Sequence, residues 1–487
     1  MRNLLSTQHK RLLELIEYVY QNDGVFIYEL CIHFKFSPKT IRNDISFINA
    51  NFHPIHINVH HTNGISLVFP INYSIEHVYE LVLDSSLEFS FLELLFLKKN
   101  LTLGTVANKL HSSPSTIRRL ISKINNELKI STFSINTSPL KLIGNESDIC
   151  NFYIHLFSEK YNSRKTPFTL MQSKTLDQLL QTLAKKKYFS WNFPDIEKLR
   201  IEIMVNIIRM QHNNEVTSAI SLSEKNRADI RSVLTPAIKT LFKITFHIDL
   251  TEEVVAHLFR SFLVNPFAFD TNTFNTLLAT DSEVAKNVAL FDKVVTNTAN
   301  EFSIPLLNKK ELLLNLYNIN ILQCGQSFIL YDKCRFFIES IEKNNPEFII
   351  FLKKQYKCVF HHTSMHQYEL YSYLYFTIIH WLDLPLFLDK ASPTLSVGMF
   401  FNTNTNHMLF MKNDIALKFR EKLVVTLMDD LSIADFEKSK DSYDIIITNI
   451  SGIQNNSNSI LCFSINPTTT DWEDLYKLYL KIAYCMI

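Results

Sequence analysis

Glycine is almost missing from this chain: seven residues in 487, where ordinary usage would be about 7%. None of the seven sits in a G-x-G-x-x-G, Walker or nucleophile-elbow pattern, so the phosphate-cradling loops of nucleotide enzymes are not expected. Cysteine is equally thin. The seven cysteines (31, 150, 324, 334, 358, 462 and 485) are odd in number, scattered and free of C-x-x-C pairs. That argues against a disulfide framework or a thiolate zinc site and suits reduced thiols. Net charge is nearly nil, 49 Lys/Arg against 48 Asp/Glu, so any affinity for nucleic acid must come from a local patch and not from a global field. No uncharged apolar run reaches about 18 residues, so no membrane span is expected. The opening stretch MRNLLSTQHKRLLELIEYVY is broken by Gln8, His9, Lys10, Arg11, Glu14 and Glu17 and reads as an amphipathic helix, not a signal peptide. These absences point to a cytoplasmic, cofactor-free, non-enzymatic chain of roughly three to five domains.

What is present is a stretch written twice. Residues 37–49 read SPKTIRNDISFIN and residues 113–125 read SPSTIRRLISKIN, 76 positions apart. A serine followed by proline is a helix start: the hydroxyl caps orphan backbone N–H groups, and proline at the first helical position gives up nothing. Behind it, Ile117, Leu120, Ile121, Ile124 and Leu128 recur at three- and four-residue spacing and form one apolar face. Ser115, Thr116, Arg118, Arg119, Ser122 and Lys123 are left facing outward. The first copy turns Ile41, Ile45 and Ile48 inward and Lys39, Thr40, Arg42 and Asn43 outward. Shorter helical stretches precede both, VFIYELCIHFKF (25–36) and LTLGTVANKLHSS (101–113). Two short helices joined by a polar turn, the second offering small polar and basic groups, make a helix-turn-helix that reads the major groove of double-stranded DNA.

Each copy is followed by alternating residues around a turn, HINVHHTNGISLVF (56–69) and STFSINTSPLKLIG (131–144). Both read as β-hairpins, which makes each unit a winged helix-turn-helix, over residues 1–72 and 73–147. Charge separates the two. From Lys98 to Lys141 there are eight Lys/Arg and one acid, Glu127, a net of +7; from residue 1 to 60 the count is six against five, a net of +1. The second unit is therefore expected to supply more of the phosphate affinity.

Helical periodicity then dominates residues 147–392, in two successive groups over 165–280 and 281–392. The clearest stretches are IEKLRIEIMVNIIRMQ (196–211), EEVVAHLFRSFL (252–263), KELLLNLYNINILQ (310–323), SFILYDKCRFFIESIEK (327–343) and YELYSYLYFTIIHWL (368–382). From 393 to 487 the pattern changes to SVGMFF, VVTLM, DIIITN and ILCFSI, short β-rich runs separated by helical segments near 406–420 and 431–438 and closed by a last helix, 471–484. That is a compact α/β domain with a mostly parallel sheet. The fold class read here is mainly α and multidomain, with an α/β C-terminal domain.

This order resembles the Mga/AtxA class of transcriptional regulators of Gram-positive bacteria, on the doubled SP-x-TIR segments and the strand–helix order of the tail. The resemblance covers essentially the whole chain. It implies that residues 73–147 are the Mga-type module, that the two helical groups are phosphotransferase-system regulation domains (PRD-like), and that the tail is similar to a sugar-permease EIIB component. It further implies a homodimer that activates virulence or carbohydrate-linked genes and answers to phosphotransferase-system (PTS) phosphocarrier proteins through histidine phosphorylation. In the first group the family's arginine segment corresponds to NIIR (206–209), and the residue seven before Arg209 is Glu202. In the second group the corresponding positions fall near Asn318 and Phe376. The histidines close to these places are His212 and His257 in the first group and His366 and His380 in the second, and they are the phosphorylation candidates. An EIIB enzyme carries a cysteine after its first strand; FFNTNTNHM (400–408) has none, which leaves the tail dimerisation or partner docking.

Three competing readings share parts of this pattern. An RNA-binding antiterminator also carries paired regulation domains, but on a short β-rich N-terminus. A phosphotransferase enzyme would need the missing cysteine. The HHTSMH stretch (361–366) puts His362 and His366 on one helix face, but no cysteine or acid within it completes a four-ligand set, so no metal is assigned.

Overall fold

The structure is a computed structural model. It describes residues 1–487 except 23, 61, 63, 162–165, 185–192, 213–223, 261–266, 269, 323–326, 361–366, 391, 429–432, 454–458 and 485–487. The chain divides into two compact units, Met1–Ser282 with Asn318–Lys333, and Glu283–Tyr317 with Cys334–Ile487.

The first unit begins with a 3-10 turn, Arg2–Leu4, and helix α1, Thr7–Gln21, capped by Ser6. Next come α2 (Ile27–Phe34), α3 (Pro38–Asn51) and the antiparallel hairpin β1 (His56–His60) with β2 (Gly64–Val68). After α4 (Glu76–Ser85) and α5 (Leu87–Leu97), the same order repeats as α6 (Leu103–Lys109), α7 (Pro114–Glu127) and the hairpin β3 (Phe133–Thr137) with β4 (Leu140–Gly144). The long α8, Glu146–Lys160, follows at once. Buried residues from Leu4 to Phe157 make one continuous core beneath both repeats. α5 explains why: Phe89, Phe91, Leu92, Leu95 and Phe96 are buried, the residues on its opposite side are half-buried, and none of the helix is exposed.

Helices α9 (Leu170–Ala184), α10 (Phe193–Gln211), α11 (Glu224–Val233), α12 (Pro236–Phe246) and α13 (Glu252–Leu258) complete most of this unit. α10 has two apolar stripes one residue out of phase. Met204, Val205 and Ile208 join the N-terminal core, while Leu199, Ile203 and Ile207 enter a second core with α9, α12 and α13.

In the second unit, the helices Pro346–Val359 and Gln367–His380 pack through aromatic rings. Tyr356 and Tyr373 stack with centroids 5.7 Å apart at 9°, and the Tyr356 hydroxyl meets Thr377 Oγ1 at 2.5 Å. The C-terminal strands β5 (Leu395–Phe400), β6 (Leu423–Leu427), β7 (Ile445–Thr448) and β8 (Ile460–Cys462) form a sheet in the order β6-β5-β7-β8, parallel at every pairing. The four expected strands are thus present, with helices Thr405–Phe419, Ile433–Ser439 and Thr469–Ala483 between and after them. Mainly helical architecture with a small parallel sheet at the C-terminus is what the sequence led one to expect. No helix among the described residues is long and apolar enough to cross a membrane.

One segment departs from the expectation. The stretch 327–343 reads as a single helix, yet helix begins only at Lys333 and continues to Asn344. Residues 327–332 run outside any helix, and Phe328 and Leu330 are buried in the N-terminal core of the first unit. Their backbone N–H groups are taken by side chains of α8, so a distant acceptor replaces the helical one.

Candidate nucleic-acid interface

The repeated stretch builds the same device twice. Ser37 Oγ accepts from the Thr40 N–H at 3.2 Å, and Ser113 Oγ accepts from the Thr116 N–H at 3.1 Å, each with proline at the first turn. Ile41, Ile45 and Ile48 of α3, and Ile117, Leu120, Ile121 and Ile124 of α7, are buried as the spacing requires. The last residue of each copy has a role that its periodicity does not show. Asn49 Nδ2 donates to the Ile57 carbonyl at 2.9 Å and its Oδ1 accepts from the Ile57 N–H at 2.7 Å. Asn125 does the same to Ile135, at 2.9 and 2.8 Å. A side-chain amide here clamps the hairpin to the end of the helix before it. The signal was visible, since asparagine ends both copies, but its target lies outside them.

The first hairpin gains a further tie. The Gly24 N–H donates to the Ile65 carbonyl at 3.0 Å, and the Ile65 N–H donates to the Val25 carbonyl at 2.7 Å. Gly64, at φ +74°, lies under this approach, where a Cβ would meet the Gly24 carbonyl oxygen at 2.0 Å.

Most of the residues chosen from the sequence face outward. Lys39, Arg42 and Asn43 on α3, and Ser115, Thr116, Arg118, Arg119 and Ser122 on α7, are exposed; Thr40 is half-buried. Among the described residues, Lys39, Arg42, Arg118 and Arg119 have no ion-pair partner in the protein. The small hydroxyls are turned toward the caps: Thr40 Oγ1 lies 2.9 Å from Ser37 Oγ, and Ser115 Oγ and Thr116 Oγ1 each lie 2.8 Å from Ser113 Oγ. The arginines therefore present the free donors of each helix.

Lys123 is placed differently from the expectation. Its Nζ donates to the Leu4 carbonyl at 3.0 Å, the Leu5 carbonyl at 2.6 Å and Glu88 Oε1 at 3.0 Å. All three ammonium donors are occupied, and the nearly buried Glu88 carboxylate depends on them. Lys123 holds the N-terminal turn onto α7 and is not part of the outward basic face. The other seven cations between Lys98 and Lys141 are exposed. The first module also uses a cation internally: Arg11 grips the buried Asp44 through Nε, at 2.5 Å, and a terminal nitrogen, at 2.8 Å.

The candidate phosphorylation histidines fall in two places. His212 follows the last residue of α10, and burial, with Lys99 and Arg209 nearby, lowers its pKa to about 4. His257 lies in the last turn of α13; burial lowers it too, and its Nδ1 is buried without a hydrogen-bond partner. The Glu146 carboxylate acts on both rings in the opposite sense. Glu146 itself is held by Arg209, Nε to Oε1 at 2.6 Å and a second nitrogen to Oε2 at 2.7 Å. Cys150 shares this environment, and burial pushes its thiol up to about 12, which makes it a poor nucleophile. The structure thus brings His212 and His257 around one Arg209–Glu146 pair, which joins α10 to the first turn of α8. His380 ends its helix in the second unit, its pKa lowered by burial, its ring stacked on Phe376 at 5.9 Å. His366 and the rest of HHTSMH lie outside the described residues.

Three family models match stretches of this chain. The Mga helix-turn-helix domain matches residues 71–157, the M protein trans-acting positive regulator (MGA) PRD domain matches 172–383, and a DeoR-like helix-turn-helix domain matches 11–55. A putative trans-acting regulator of Streptococcus pneumoniae is 27% identical over 92% of this chain and 93% of its own length. The anthrax toxin expression trans-acting positive regulator of Bacillus anthracis is 22% identical over 97% of this chain and 98% of its own. The capsule synthesis positive regulator AcpB of the same organism is 27% identical over 42% of this chain and 43% of its own.

Proposed function

We propose that this chain, which belongs to the Mga/AtxA type of transcriptional regulators, is a cytoplasmic activator of virulence or carbohydrate-linked genes that binds double-stranded DNA through two winged helix-turn-helix modules. The observation that carries this reading is the duplicated device: two capped helices, each clamped by asparagine to its own hairpin, one flanked by seven exposed cations. α7 is the main reading helix, with Arg118 and Arg119 on phosphates or base edges and Ser115, Thr116 and Ser122 beside them. α3 contributes Lys39, Thr40, Arg42 and Asn43 with less charge around them. The electrostatic share of such binding is read from its salt dependence.

Regulation belongs to the helical part. We assign residues 165–280 and 281–392 as the two PRD-like domains, and His212, His257, His366 and His380 as acceptors open to PTS phosphocarrier proteins. A phosphoryl group beside Arg209 would compete with Glu146 for that guanidinium. The neutral, unpaired Nδ1 of His257 supports its choice within the first domain. Self-association as a homodimer is assigned to residues 393–487, read as an EIIB-like domain. Exposed Leu409, Phe410 and Leu417 on the helix Thr405–Phe419, with Val424 of β6 also exposed, support this.

Gel shifts of the parent against duplex DNA from its own genome and against RNA hairpins test the reading. Shifts of specific duplexes, lost with Arg118→Ala/Arg119→Ala, are expected. Preference for the hairpins would make it an RNA-binding antiterminator instead. Sizing of a chain lacking 393–487 checks the dimer, and an unchanged dimer would move the interface to the helical part.

A further inference from the structure

The segment Ser327–Tyr331 does something that none of the above uses. It lies roughly 170 positions from the helix that receives it, and it is held as a short peptide would be held by a groove. The Phe328 N–H donates to His155 Nδ1 at 3.1 Å. The Leu330 N–H donates to both oxygens of Glu159, at 2.8 and 2.9 Å, and the Tyr331 N–H donates to Glu159 Oε1 at 2.9 Å. Alternate side chains point in. Phe328 and Leu330 are buried, while Ser327, Ile329 and Tyr331 are half-buried.

The two ends of this peptide bear on the two DNA-binding modules. Phe328 packs its ring against Phe133, the first residue of β3, at 6.1 Å and against Phe152 of α8 at 5.1 Å. Tyr331 stacks on Tyr79 of α4 at 4.4 Å, and the Tyr79 hydroxyl donates to Glu17 of α1, which also pairs with Arg2. One end therefore packs on the hairpin of the second module, and the other reaches the first helix of the first module through Tyr79.

The same peptide is bounded on both sides by the second unit. The chain leaves that unit at Tyr317, gives residues 318–333 to the first unit, and returns at Cys334. The helix Lys333–Asn344 begins two residues after Tyr331, whose carbonyl accepts from the Lys333 N–H at 3.1 Å. The attachment is also of a kind that can open. Its backbone donors are taken by two side chains and not by a sheet, and the receiving Glu159 is pushed up to about 7 by burial, the two backbone donors offsetting only part of that penalty. Release would rehydrate this carboxylate.

We propose that Ser327–Tyr331 is an internal peptide ligand of the DNA-binding half, and that its docking couples the state of the second unit to the hairpin of one module and the first helix of the other. The partner is this chain's own aromatic–aliphatic peptide, and the recognition elements are His155, Glu159, Phe133, Phe152 and Tyr79. The coupling rests on the DNA-binding reading only for its consequence; the docking stands without it.

Hydrogen exchange on the full chain, without DNA, tests this as a double-mutant cycle. The first perturbation is Ile338→Ala, a buried position of the helix Lys333–Asn344. The second releases the peptide, either by Phe328→Ala/Leu330→Ala or, should that pair fail to fold, by Glu159→Gln, which leaves the apolar contacts intact. In the parent, the Leu330 and Tyr331 amides are expected to be protected, and Ile338→Ala to speed exchange of β3 and α1 by about tenfold, equivalent to about 1.4 kcal/mol of opening. In the released background the same substitution should leave β3 and α1 unchanged. Unprotected Leu330 and Tyr331 amides in the parent overturn the docking. An Ile338→Ala effect that is absent, or equal in both backgrounds, overturns the coupling. Neither result depends on gel shifts, so the DNA-binding reading stands or falls separately.

Discussion

The two helix-turn-helix modules share cap, proline, apolar spacing and asparagine clamp, yet they differ at four aligned positions of the repeated stretch. Where the second has Ser115, Arg119, Leu120 and Lys123, the first has Lys39, Asn43, Asp44 and Phe47. Asp44 is the consequential difference. A carboxylate at a buried helix position cannot stay unpaired, so Arg11 is drawn in to hold it, and the first module gives up a cation to its own interior. Leu120 makes no such demand. The second module uses Lys123 internally as well, but it has seven more exposed cations around it. One backbone device thus carries two electrostatic surfaces, and burial chemistry, not helix geometry, separates them.

The largest effect on this contrast should come from Arg11→Ala. It strands Asp44 at 3% exposure and is expected to destabilise the first unit by about 3 kcal/mol, measured by denaturant unfolding. Arg11→Ala/Asp44→Leu, which imitates the second module, should recover most of that loss. Little loss in the single variant would mean that Asp44 does not need its partner.

Next in size is the Arg118→Ala/Arg119→Ala pair, expected to lower duplex affinity about a hundredfold and to flatten the salt dependence by about one unit per lost phosphate contact. Arg42→Ala should lose less. Lys123→Met removes the same formal charge as one arginine but should leave the salt slope as it is, because its donors are occupied within the protein. If Arg42 proves the more damaging site, the ranking of the modules is reversed.

The clamps test whether the devices are equivalent. Asn49→Ala and Asn125→Ala each leave a hairpin N–H and carbonyl without their partner, for about 2 kcal/mol apiece. Their stability losses should match, while Asn125→Ala should weaken DNA binding more. Smaller again, Asn43→Arg should steepen the first module's salt dependence by about one unit.

The smallest effect is on pH dependence. Burial holds His212 at about 4, below its ordinary 6.5, and lowers His257 in the same unit. A lowered histidine is neutral in the fold and takes up its proton on unfolding, so stability is present above about 6.5 and is lost as pH falls toward 4. His212→Gln should flatten that limb of the unfolding curve. A limb unchanged by the substitution would show that His212 is as solvated in the fold as in the unfolded chain.

How much of this was legible follows from how far each interaction reaches. The caps Ser37 and Ser113, the apolar faces of α3 and α7, the hairpins and the four C-terminal strands all rest on neighbours within a few residues, and local chemistry announces them. The outward arginines follow from the same helical period. The sequence by itself therefore determined the duplicated device, its unequal surrounding charge and the β-rich tail. Only the tertiary structure decided what became of residues whose partners lie far along the chain. Lys123 met carbonyls 119 and 118 positions away. Glu146 met Arg209, 63 positions away. Residues 327–331 have the apolar spacing of a helix and yet dock outside any helix, because Glu159 and His155, more than 170 positions distant, offer their backbone the hydrogen bonds that a helix would otherwise supply. Periodicity records which side chains avoid water; it does not record which distant groups take up the charges and backbone donors that burial leaves behind.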